Sequence, residues 1–319
     1  MSGRPLAAVI IPAHNEEGVI ARLLGNIMAE AEPGEFEIIV AANGCSDATA
    51  QAARNAGPGI TVLDLPEPSK VAALNAGDAA ATVFPRLYVD ADVMVSAETL
   101  RALARILSDD DGTGSSSDDG HATSAIPAGA PGPLAAAPAL QTDLTGASWF
   151  VQAHYRIWEL TDYRTRGHIG SGIYALSRQG RQRFGRFPDV IADDRYVQQL
   201  FTLSERLTLP EHTFTVHSPK TMRALLRRST RAAAGNLQLQ ARASGAEGAH
   251  PKGAPAPASG SGSGSHVNLL RRVLPKPALW PALAVYCTAY LIPRVLAVRK
   301  IRSGQMNIWE RDETSRQWH

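Results

Sequence analysis

The fold that this sequence predicts is centred on one stretch, Leu87-Tyr88-Val89-Asp90-Ala91-Asp92-Val93-Met94-Val95. Its apolar residues predict a buried strand over Leu87–Val89, directly followed by two carboxylates one residue apart. Because ligands of open α/β sheets bind beyond the carboxyl ends of the strands, Asp90 and Asp92 are predicted at a binding edge. Two hard oxygen ligands suit Mg²⁺ or Mn²⁺ that already carries phosphate oxygens. The alternative is a plain strand end, at which Asp90 caps the next turn.

The residues on either side of this stretch alternate between strand and helix patterns. Strands are predicted at Leu6–Ile11, Glu35–Val40 and Ile60–Leu63, and a helix is predicted after each of them, the last over Lys70–Ala81. A further helix is predicted over Ala97–Leu107. This alternation indicates an α/β fold with a mostly parallel, Rossmann-like sheet flanked by helices.

Composition divides the chain into three parts. Residues 1–240 are predicted to form one domain, interrupted by an acidic, Gly/Ser-rich loop at about 108–133 that is predicted to be disordered. Residues 241–266 have the Gly/Ser/Ala/Pro content of a flexible linker. Residues 267–319 are predicted to form a basic and apolar helical extension.

The longest apolar stretch, Ala278–Val298, leaves three interpretations open. A spanning helix needs about 20 mostly apolar residues, and the uncharged run here is slightly shorter, with basic residues at both ends. An interfacial or re-entrant membrane anchor is therefore favoured over a true span or an ordinary core helix.

Charge and cysteine content exclude several classes of protein. Lys+Arg 32 against Asp+Glu 30 gives a net charge of +2, so no nucleic-acid partner is predicted. The two cysteines, Cys45 and Cys287, lie too far apart in sequence for a disulfide framework or a Cys-based zinc site. No signal peptide pattern is visible, and a cytoplasmic location is predicted. No G-x-G-x-x-G follows the first strand, which argues against an NAD-dependent dehydrogenase.

Seven short motifs, in order from about Leu6 to Asn236, resemble those of the family-2 glycosyltransferases. These are inverting nucleotide-sugar enzymes of the GT-A fold. The motifs are Pro12-Ala-His-Asn-Glu-Glu17, Asn43-Gly-Cys-Ser-Asp-Ala-Thr49, Lys70 with Leu74-Asn-Ala-Gly77, Asp90-Ala-Asp92, Gly170-Ser-Gly-Ile-Tyr174, Asp193-Asp194, and Arg227-Arg228 with Arg231.

The resemblance implies a role for each matching position. Asp92 would chelate a metal ion directly, Asp90 would bind the ribose or the metal through water, and Asp194 would be the general base. The sugar and acceptor pocket would include Gly170, Ser171, Gly172 and Asp193. The residues that would bind the nucleotide-sugar are Pro12, Ala13, Asn15, Glu16, Asn43, Lys70, Asp90, Ala91, Asp92, Arg228 and Arg231.

The chemistry of glycosyl transfer needs residues of these types. Charge builds on the departing nucleoside diphosphate, and a divalent ion with Arg side chains offsets it. One carboxylate is enough to take the proton of the attacking hydroxyl.

Several positions admit a second interpretation. Asp193 and Asp194 could cap a helix, Lys70 could be an exposed helix-start lysine, and His217 is either a satisfied structural histidine or a third metal ligand. The aromatic residues Trp149, Tyr155 and Trp158 are predicted in the core. Ala42 stands where the family usually has a nucleobase-contacting aspartate, so the expected UDP-sugar donor is not secured.

These observations predict a metal-dependent, inverting glycosyltransferase of the hexosyltransferase type, with Mn²⁺ or Mg²⁺ as cofactor. The acceptor would be a hydroxyl of a glycan or a lipid-linked molecule in cell-envelope or exopolysaccharide synthesis. Peripheral contact with the inner face of the cell membrane is predicted through residues 269–302. The alternatives are a sugar-nucleotide nucleotidyltransferase and a non-catalytic, glycan-binding protein of the same fold.

Overall fold

The computed structural model describes residues 3–108, 132–161, 167–243 and 263–302. In these ranges the strands are β1 (Ala7–Ala13), β2 (Phe36–Asn43), β3 (Ile60–Leu65), β4 (Arg86–Val89), β5 (Val93–Met94), β6 (Ala135–Asp143), β7 (Ile173–Leu176) and β8 (Arg206–His217). The helices are α1 (Glu17–Glu30), α2 (Thr49–Asn55), α3 (Lys70–Ala80), α4 (Ala97–Leu107), α5 (Trp149–Trp158), α6 (Arg178–Arg181), α7 (Asp193–Gln199), α8 (Met222–Ala243), α9 (Ser263–Val273) and α10 (Trp280–Arg302). Short 3-10 helices occupy Leu203–Glu205 and Pro277–Leu279.

The strands form one eight-stranded sheet in the order β3-β2-β1-β4-β7-β6-β8-β5. The first four run parallel, β7 is antiparallel to both β4 and β6, β8 runs parallel to β6, and β5 is antiparallel to β8. All strands except β5 and β7 therefore point the same way, which confirms the prediction of a mostly parallel sheet. The carboxyl ends of β1, β2, β4, β6 and β8 meet at one edge.

The centre of the sheet is buried on both faces. Every residue of β1 is buried, because α1 and α4 cover one face of the sheet and α3 covers the other. The approach of α3 is close: a Cβ on Gly77 would lie 2.6 Å from Ile10 Cγ2. A continuous apolar strand is the pattern that such two-sided coverage requires.

One strand is longer than the sequence pattern predicts. The sequence pattern predicts two short strands here, Arg206–Leu209 and Thr213–His217. In the structure both are parts of the single strand β8. The register against β6 shifts between Pro138 and Ala139, and this irregularity accommodates residues 210–212 without ending the strand.

The C-terminal helices pack on the sheet domain. Apolar residues of α9, α10 and α5 form one cluster, and Ala289 of α10 joins a second cluster with α5 and α8. Most of the predicted linker lies outside the described residues, but α8 runs to Ala243 and α9 begins at Ser263. The predicted acidic loop also lies outside the described residues, apart from its ends.

The predicted core position of the aromatic residues on α5 holds for Tyr155, which is 7% exposed, and Trp158 is partly buried. It is wrong for Trp149, which is 57% exposed. Trp149 is the first residue of α5, and Phe150, whose ring contacts that of Trp149, is itself 52% exposed.

Candidate functional site

A small cleft lies at the carboxyl edge of the sheet, beside the end of β4. Six of its lining residues belong to the predicted set, and four were not predicted. The predicted residues are Pro12, Lys70, Asp90, Gly172, Asp193 and Asp194, and the others are Leu74, Tyr88, Val89 and Tyr174. The cleft therefore brings together the two acidic motifs, which are about a hundred residues apart in sequence.

Lys70 joins the two acidic motifs at the centre of the cleft. Its Nζ lies 2.9 Å from Asp90 Oδ1 and 3.0 Å from Asp193 Oδ1. The Asp193 side chain is only 5% exposed, whereas that of Asp90 is 35% exposed. The interpretation of Lys70 as an exposed helix-start lysine is therefore wrong.

The position of Lys70 follows from how α3 begins. Ser69 caps this helix, because its hydroxyl accepts a hydrogen bond from the amide of Ala72 at 3.1 Å. The amide of Ser69 in turn donates to Asn43 Oδ1 at 3.0 Å, which ties the start of α3 to the end of β2. Lys70 is the first residue of α3, so both contacts fix its backbone beside the cleft.

A tight turn holds the two acidic motifs through backbone hydrogen bonds. Gly170, Ser171 and Gly172 all have positive φ, at +112°, +63° and +121°. The amide of Ser171 donates to Asp194 Oδ2 at 3.0 Å, and the carbonyl of Gly172 accepts from the amide of Asp90 at 2.7 Å. The glycines are needed both for this conformation and for space, since a Cβ on Gly170 would lie 2.8 Å from Asp194 Cβ.

Charge is concentrated in this cleft, and the pKa values respond to it. The pKa of Asp193 is raised to about 6, because burial, together with Asp194 and Asp90, outweighs the lowering effect of Lys70. Burial would lower the pKa of Lys70, but Asp193 and Asp90 outweigh burial and raise it, so the ammonium stays charged. Three carboxylates around one ammonium leave the cleft with negative charge that a cation can offset.

Two tyrosines line the cleft, Tyr88 and Tyr174, and the sequence predicted no role in the site for either of them. Tyr88 on β4 stacks on Tyr174 on β7 with ring centroids 4.9 Å apart. The Tyr88 hydroxyl donates to Asp78 Oδ1 at 2.5 Å, and Asp78 is also paired with Arg86 and Arg181. The sequence offered one indication that they belong to the site: Tyr88 lies two residues before Asp90, and Tyr174 lies two residues after Gly172.

The predicted nucleoside-binding residues lie at the end of β1 and in the loop that follows it, next to the loop after β2. Pro12 lines the cleft, and Ala13 is buried beside it. Asn15 has a φ of +51° and accepts from the amide of Ser46 at 2.6 Å, which connects the two loops. Glu16 precedes α1 and is buried.

The side chain of Asn43 forms hydrogen bonds within the protein. Its Nδ2 donates to the carbonyls of Ala13 at 2.7 Å and Ala41 at 3.3 Å, and its Oδ1 accepts from Ser69. Asn43 is also fully buried. Its contact with a nucleoside stays a prediction, and these internal hydrogen bonds do not favour it.

Asp92 follows Asp90 by one buried residue, Ala91. The antiparallel pairing of β5 with β8 begins at Val93 opposite Val216, so the next residues outward are Asp92 and His217. His217 Nδ1 lies 2.8 Å from Asp143 Oδ2, and burial lowers its pKa. Among the described residues, no group of three or more His, Cys, Asp or Glu side chains is arranged to hold a metal ion.

The predicted phosphate-binding arginines lie on α8, which begins shortly after His217. Arg228 is exposed and Arg231 is partly exposed. Neither lines the small cleft, so the structure does not bring them together with Lys70 and the carboxylates.

Comparisons with known proteins agree with this fold. Residues 8–117 match the family described as glycosyl transferase family 2, in agreement with the motifs in that range, and the three later motifs lie outside the matched residues. No curated protein matches the chain.

Two solved structures are similar over most of the chain. A mannosyltransferase from Pyrobaculum calidifontis, in complex with GDP-Man and Mn²⁺, is 21% identical, with a TM-score of 0.55 over 95% of this chain and 80% of that one. A glucosyl-3-phosphoglycerate synthase from Mycobacterium tuberculosis, with Mn²⁺, UDP-glucose and phosphoglyceric acid, is 18% identical, with a TM-score of 0.50 over 75% of this chain and 80% of that one. The chain has the GT-A fold.

Proposed function

We propose that this protein is an inverting glycosyltransferase that moves a sugar from a nucleotide-diphosphate donor to an acceptor hydroxyl. The observation that carries the proposal is the meeting of Asp90, Asp193 and Asp194 around Lys70 in one cleft. Inversion needs one carboxylate to take a proton and a positively charged partner for the departing diphosphate, both within reach of one sugar. Two acidic motifs in separate clefts could not act on one substrate.

The residues present fit a divalent cation that arrives with the donor. Asp90 and Asp92 supply carboxylate oxygens, and the Asp90 side chain is partly exposed to the cleft. With only these carboxylates and no larger ligand cluster among the described residues, phosphate oxygens would complete the coordination of Mg²⁺ or Mn²⁺. Such an ion would offset the charge that develops on the leaving diphosphate.

Asp194 is the carboxylate that we assign to proton removal from the acceptor. Asp193 is more deeply buried and is paired with Lys70, whereas Asp194 is partly exposed and is fixed by the amide of Ser171. A fixed and accessible carboxylate can meet an incoming hydroxyl without losing its position. Lys70 would keep Asp90 and Asp193 in place and reduce the repulsion between the carboxylates.

The proposal also concerns which nucleotide-sugar is the donor. A UDP-sugar is the expected donor, but Ala42 is buried in β2 and offers no side chain to hydrogen-bond a base. The two similar structures hold GDP-Man and UDP-glucose respectively, so both bases belong in a test.

The proposed acceptor is a hydroxyl of a glycan or a lipid-linked molecule in cell-envelope or exopolysaccharide synthesis. The exposed apolar residues of α10, with the basic residues of α9 and α10, support action at the cytoplasmic face of a membrane. A lipid-linked acceptor would then be presented close to the enzyme.

A two-stage experiment tests the proposed function. Thermal unfolding is first compared for UDP-, GDP- and dTDP-sugars with and without Mn²⁺, because a ligand of the native state raises the melting temperature. The sugar that stabilises is then incubated with candidate acceptors, and the anomeric configuration of the product is determined by NMR. We expect metal-dependent stabilisation by one nucleotide-sugar and a product of inverted configuration.

Three results would count against the proposal. A product with retained configuration would contradict inversion. Pyrophosphate release from a nucleoside triphosphate and a sugar phosphate would favour a nucleotidyltransferase, and donor binding without transfer or hydrolysis would favour a glycan-binding protein.

A further inference from the structure

Helix α10 has a broad apolar side that no described part of the chain covers. We propose that this side docks in the plane of an anionic membrane surface, with the helix lying along the surface instead of crossing it. We call it the α10 face and define it by the exposed residues Trp280, Leu291, Ile292, Val295, Leu296 and Val298. The inference deepens the proposed membrane contact, and it rests on the proposed function only for its biological purpose.

The opposite side of α10 is packed along the whole length of the helix. Leu279, just before its start, and Ala282, Ala289 and Ala297 are all at most 7% exposed. Ala282 packs with α5 and α9, and Ala289 packs with α5 and α8. Tyr286 stacks on His154 of α5, with ring centroids 5.2 Å apart. Small alanines on this side allow α10 to lie close against its neighbours.

Large apolar side chains also lie on the exposed side. Trp280 is 52% exposed, Leu291 59% and Val295 56%. By length and composition, the segment Pro277–Arg299 could cross a membrane, yet only 22% of its most apolar window is buried. A contiguous set of large apolar side chains on a protein surface marks an interaction site.

The packed side decides between lying on a membrane and crossing it. A helix that crosses a bilayer alone is surrounded by hydrocarbon, so α10 would have to leave α5, α8 and α9 to do so. A helix with one side on the protein and one apolar side exposed suits the interface between headgroups and acyl chains. The structure therefore favours docking in the membrane plane.

The charge pattern identifies the kind of membrane. The sequence has no Asp or Glu between residues 248 and 309. Within α9, α10 and the turn between them, exposed basic residues accompany the apolar ones: Arg271, Arg272, Lys276, Arg294 and Arg299. Arg294 also lies over the ring of Tyr290, 3.5 Å from its centroid. Basic residues beside an apolar helix side are attracted to anionic headgroups.

The start of α5 adds two exposed aromatic side chains. Trp149 and Phe150 are 57% and 52% exposed, and their rings are in edge contact with centroids 5.2 Å apart. They follow β6, whose last residue, Asp143, contacts His217 at the carboxyl edge of the sheet. Because α5 then packs on α10, docking of the α10 face would hold this edge of the sheet near the membrane.

Flotation of the full chain with vesicles tests the docking. Wild-type protein is mixed with POPC vesicles containing 30% POPG, and with pure POPC vesicles, without any donor. We expect it to float with the anionic vesicles and to float less with pure POPC. Leu291→Glu combined with Val295→Glu should reduce the floated fraction about tenfold, because two acids then face the headgroups.

Matched controls separate docking from folding and from catalysis. Leu203→Glu puts the same acid on a leucine that is 60% exposed and lies outside α10, and it should float like the wild type. Donor hydrolysis without lipid should be unchanged in the double variant. Hydrolysis that is absent from all variants, with normal flotation, would overturn the proposed function and leave the docking intact.

The exposed Cys287 on α10 reports how deep the helix lies. A fluorophore attached to Cys287 in a Cys45→Ser background should be quenched by nitroxides near the headgroups more than by nitroxides at the centre of the bilayer. Stronger quenching at the centre would overturn the in-plane arrangement in favour of a span. Failure to float with anionic vesicles, wild-type flotation of the double variant, or a lipid-free dimer that this variant abolishes would overturn membrane docking.

Discussion

Ser171 holds Asp194 through a single hydrogen bond, in which the backbone amide of Ser171 donates to Asp194 Oδ2 at 3.0 Å. The carbonyl of the next residue, Gly172, accepts from the amide of Asp90. One three-residue turn therefore positions the carboxylate assigned to the acceptor and the strand end assigned to the donor.

Replacing Asp194 by Asn tests its assignment as the general base. The amide oxygen of Asn can still accept from Ser171, so this contact should persist. The hydrogen bond that Asp194 Oδ1 accepts from the amide of Arg195 at 2.7 Å is lost, together with the ability to take a proton. We expect turnover to fall by about 10²- to 10⁴-fold with unchanged donor affinity, measured by steady-state kinetics and calorimetry. Asp64→Asn, on an exposed residue of β3, is the matched control. Near-normal turnover of Asp194→Asn would refute the assignment.

Replacing Gly170 by Ala tests whether the turn positions Asp194. The new Cβ would lie 2.9 Å from Asp194 Oδ2 and would be strained at a φ of +112°. We expect a loss of about 1–3 kcal/mol of unfolding free energy and reduced turnover. Gly25→Ala is the control, because Gly25 lies within α1 with open space around it, and alanine there should stabilise by up to about 1 kcal/mol. Unchanged activity of Gly170→Ala would show that the turn has no such role.

Replacing Lys70 by Met tests the bridge between the acidic motifs. The buried Asp193 would lose its cation, so we expect the unfolding free energy to fall by about 3 kcal/mol, at the low end for buried pairs because Asp90 is partly solvated. Arg54→Met, which breaks an exposed pair with Asp64, should cost less than about 1 kcal/mol. Urea unfolding measures both variants.

A second substitution makes the Lys70 prediction specific. Asp193→Asn in the Lys70→Met background should recover part of the lost stability, because it removes the charge that was left unpaired. Strictly additive losses from Lys70→Met and Asp193→Asn would show that the two residues are not coupled.

Replacing Asp92 by Ala tests the proposed metal site. We expect the affinity for the nucleotide-sugar to become the same with and without Mn²⁺, whereas Mn²⁺ strengthens binding to the wild type. Calorimetry of donor binding in both conditions measures this difference. Wild-type donor affinity of Asp92→Ala in the presence of Mn²⁺ would exclude Asp92 as a ligand.

His154 predicts a pH dependence of stability. Burial lowers its pKa from the ordinary 6.5 to about 4, and its buried Nδ1 has no hydrogen-bond partner among the described residues. Between these values the unfolded chain binds a proton that the native protein does not, so stability falls as pH falls through 6.5, until about pH 4. This one group should cost about 3 kcal/mol over that range.

The substitution His154→Phe isolates this contribution. Phe keeps a ring to stack on Tyr286 and has no group to protonate, so its stability should depend less on pH than that of the wild type. Urea unfolding at pH 7 and pH 5 measures the difference. An equal loss of stability in both proteins would show that the pKa of His154 is not lowered in the native protein.

The order of elements in the first half of the chain follows from local patterns in the sequence. Each strand and helix there has a local pattern of apolar residues, such as the run that ends at Asp90. Such a pattern can be recognised without knowing which other elements pack against it. The sequence also placed Asp90, Asp92 and Asp194 at element ends, where polar residues follow apolar runs. The continuity of β8 through residues 210–212 and the exposure of Trp149 could not be obtained this way, because they depend on what packs beside them.

Which of these residues come into contact depends on how the strands and helices pack together. The antiparallel insertion of β7 beside β4 brings Gly170–Gly172 to Asp90, and the first turn of α7 brings Asp193 to Lys70. No short-range pattern encodes contacts between residues a hundred positions apart. They arise because β4 lies inside the sheet, where the backbone groups along both of its edges must be paired, and β1 and β7 are the strands that pair with them.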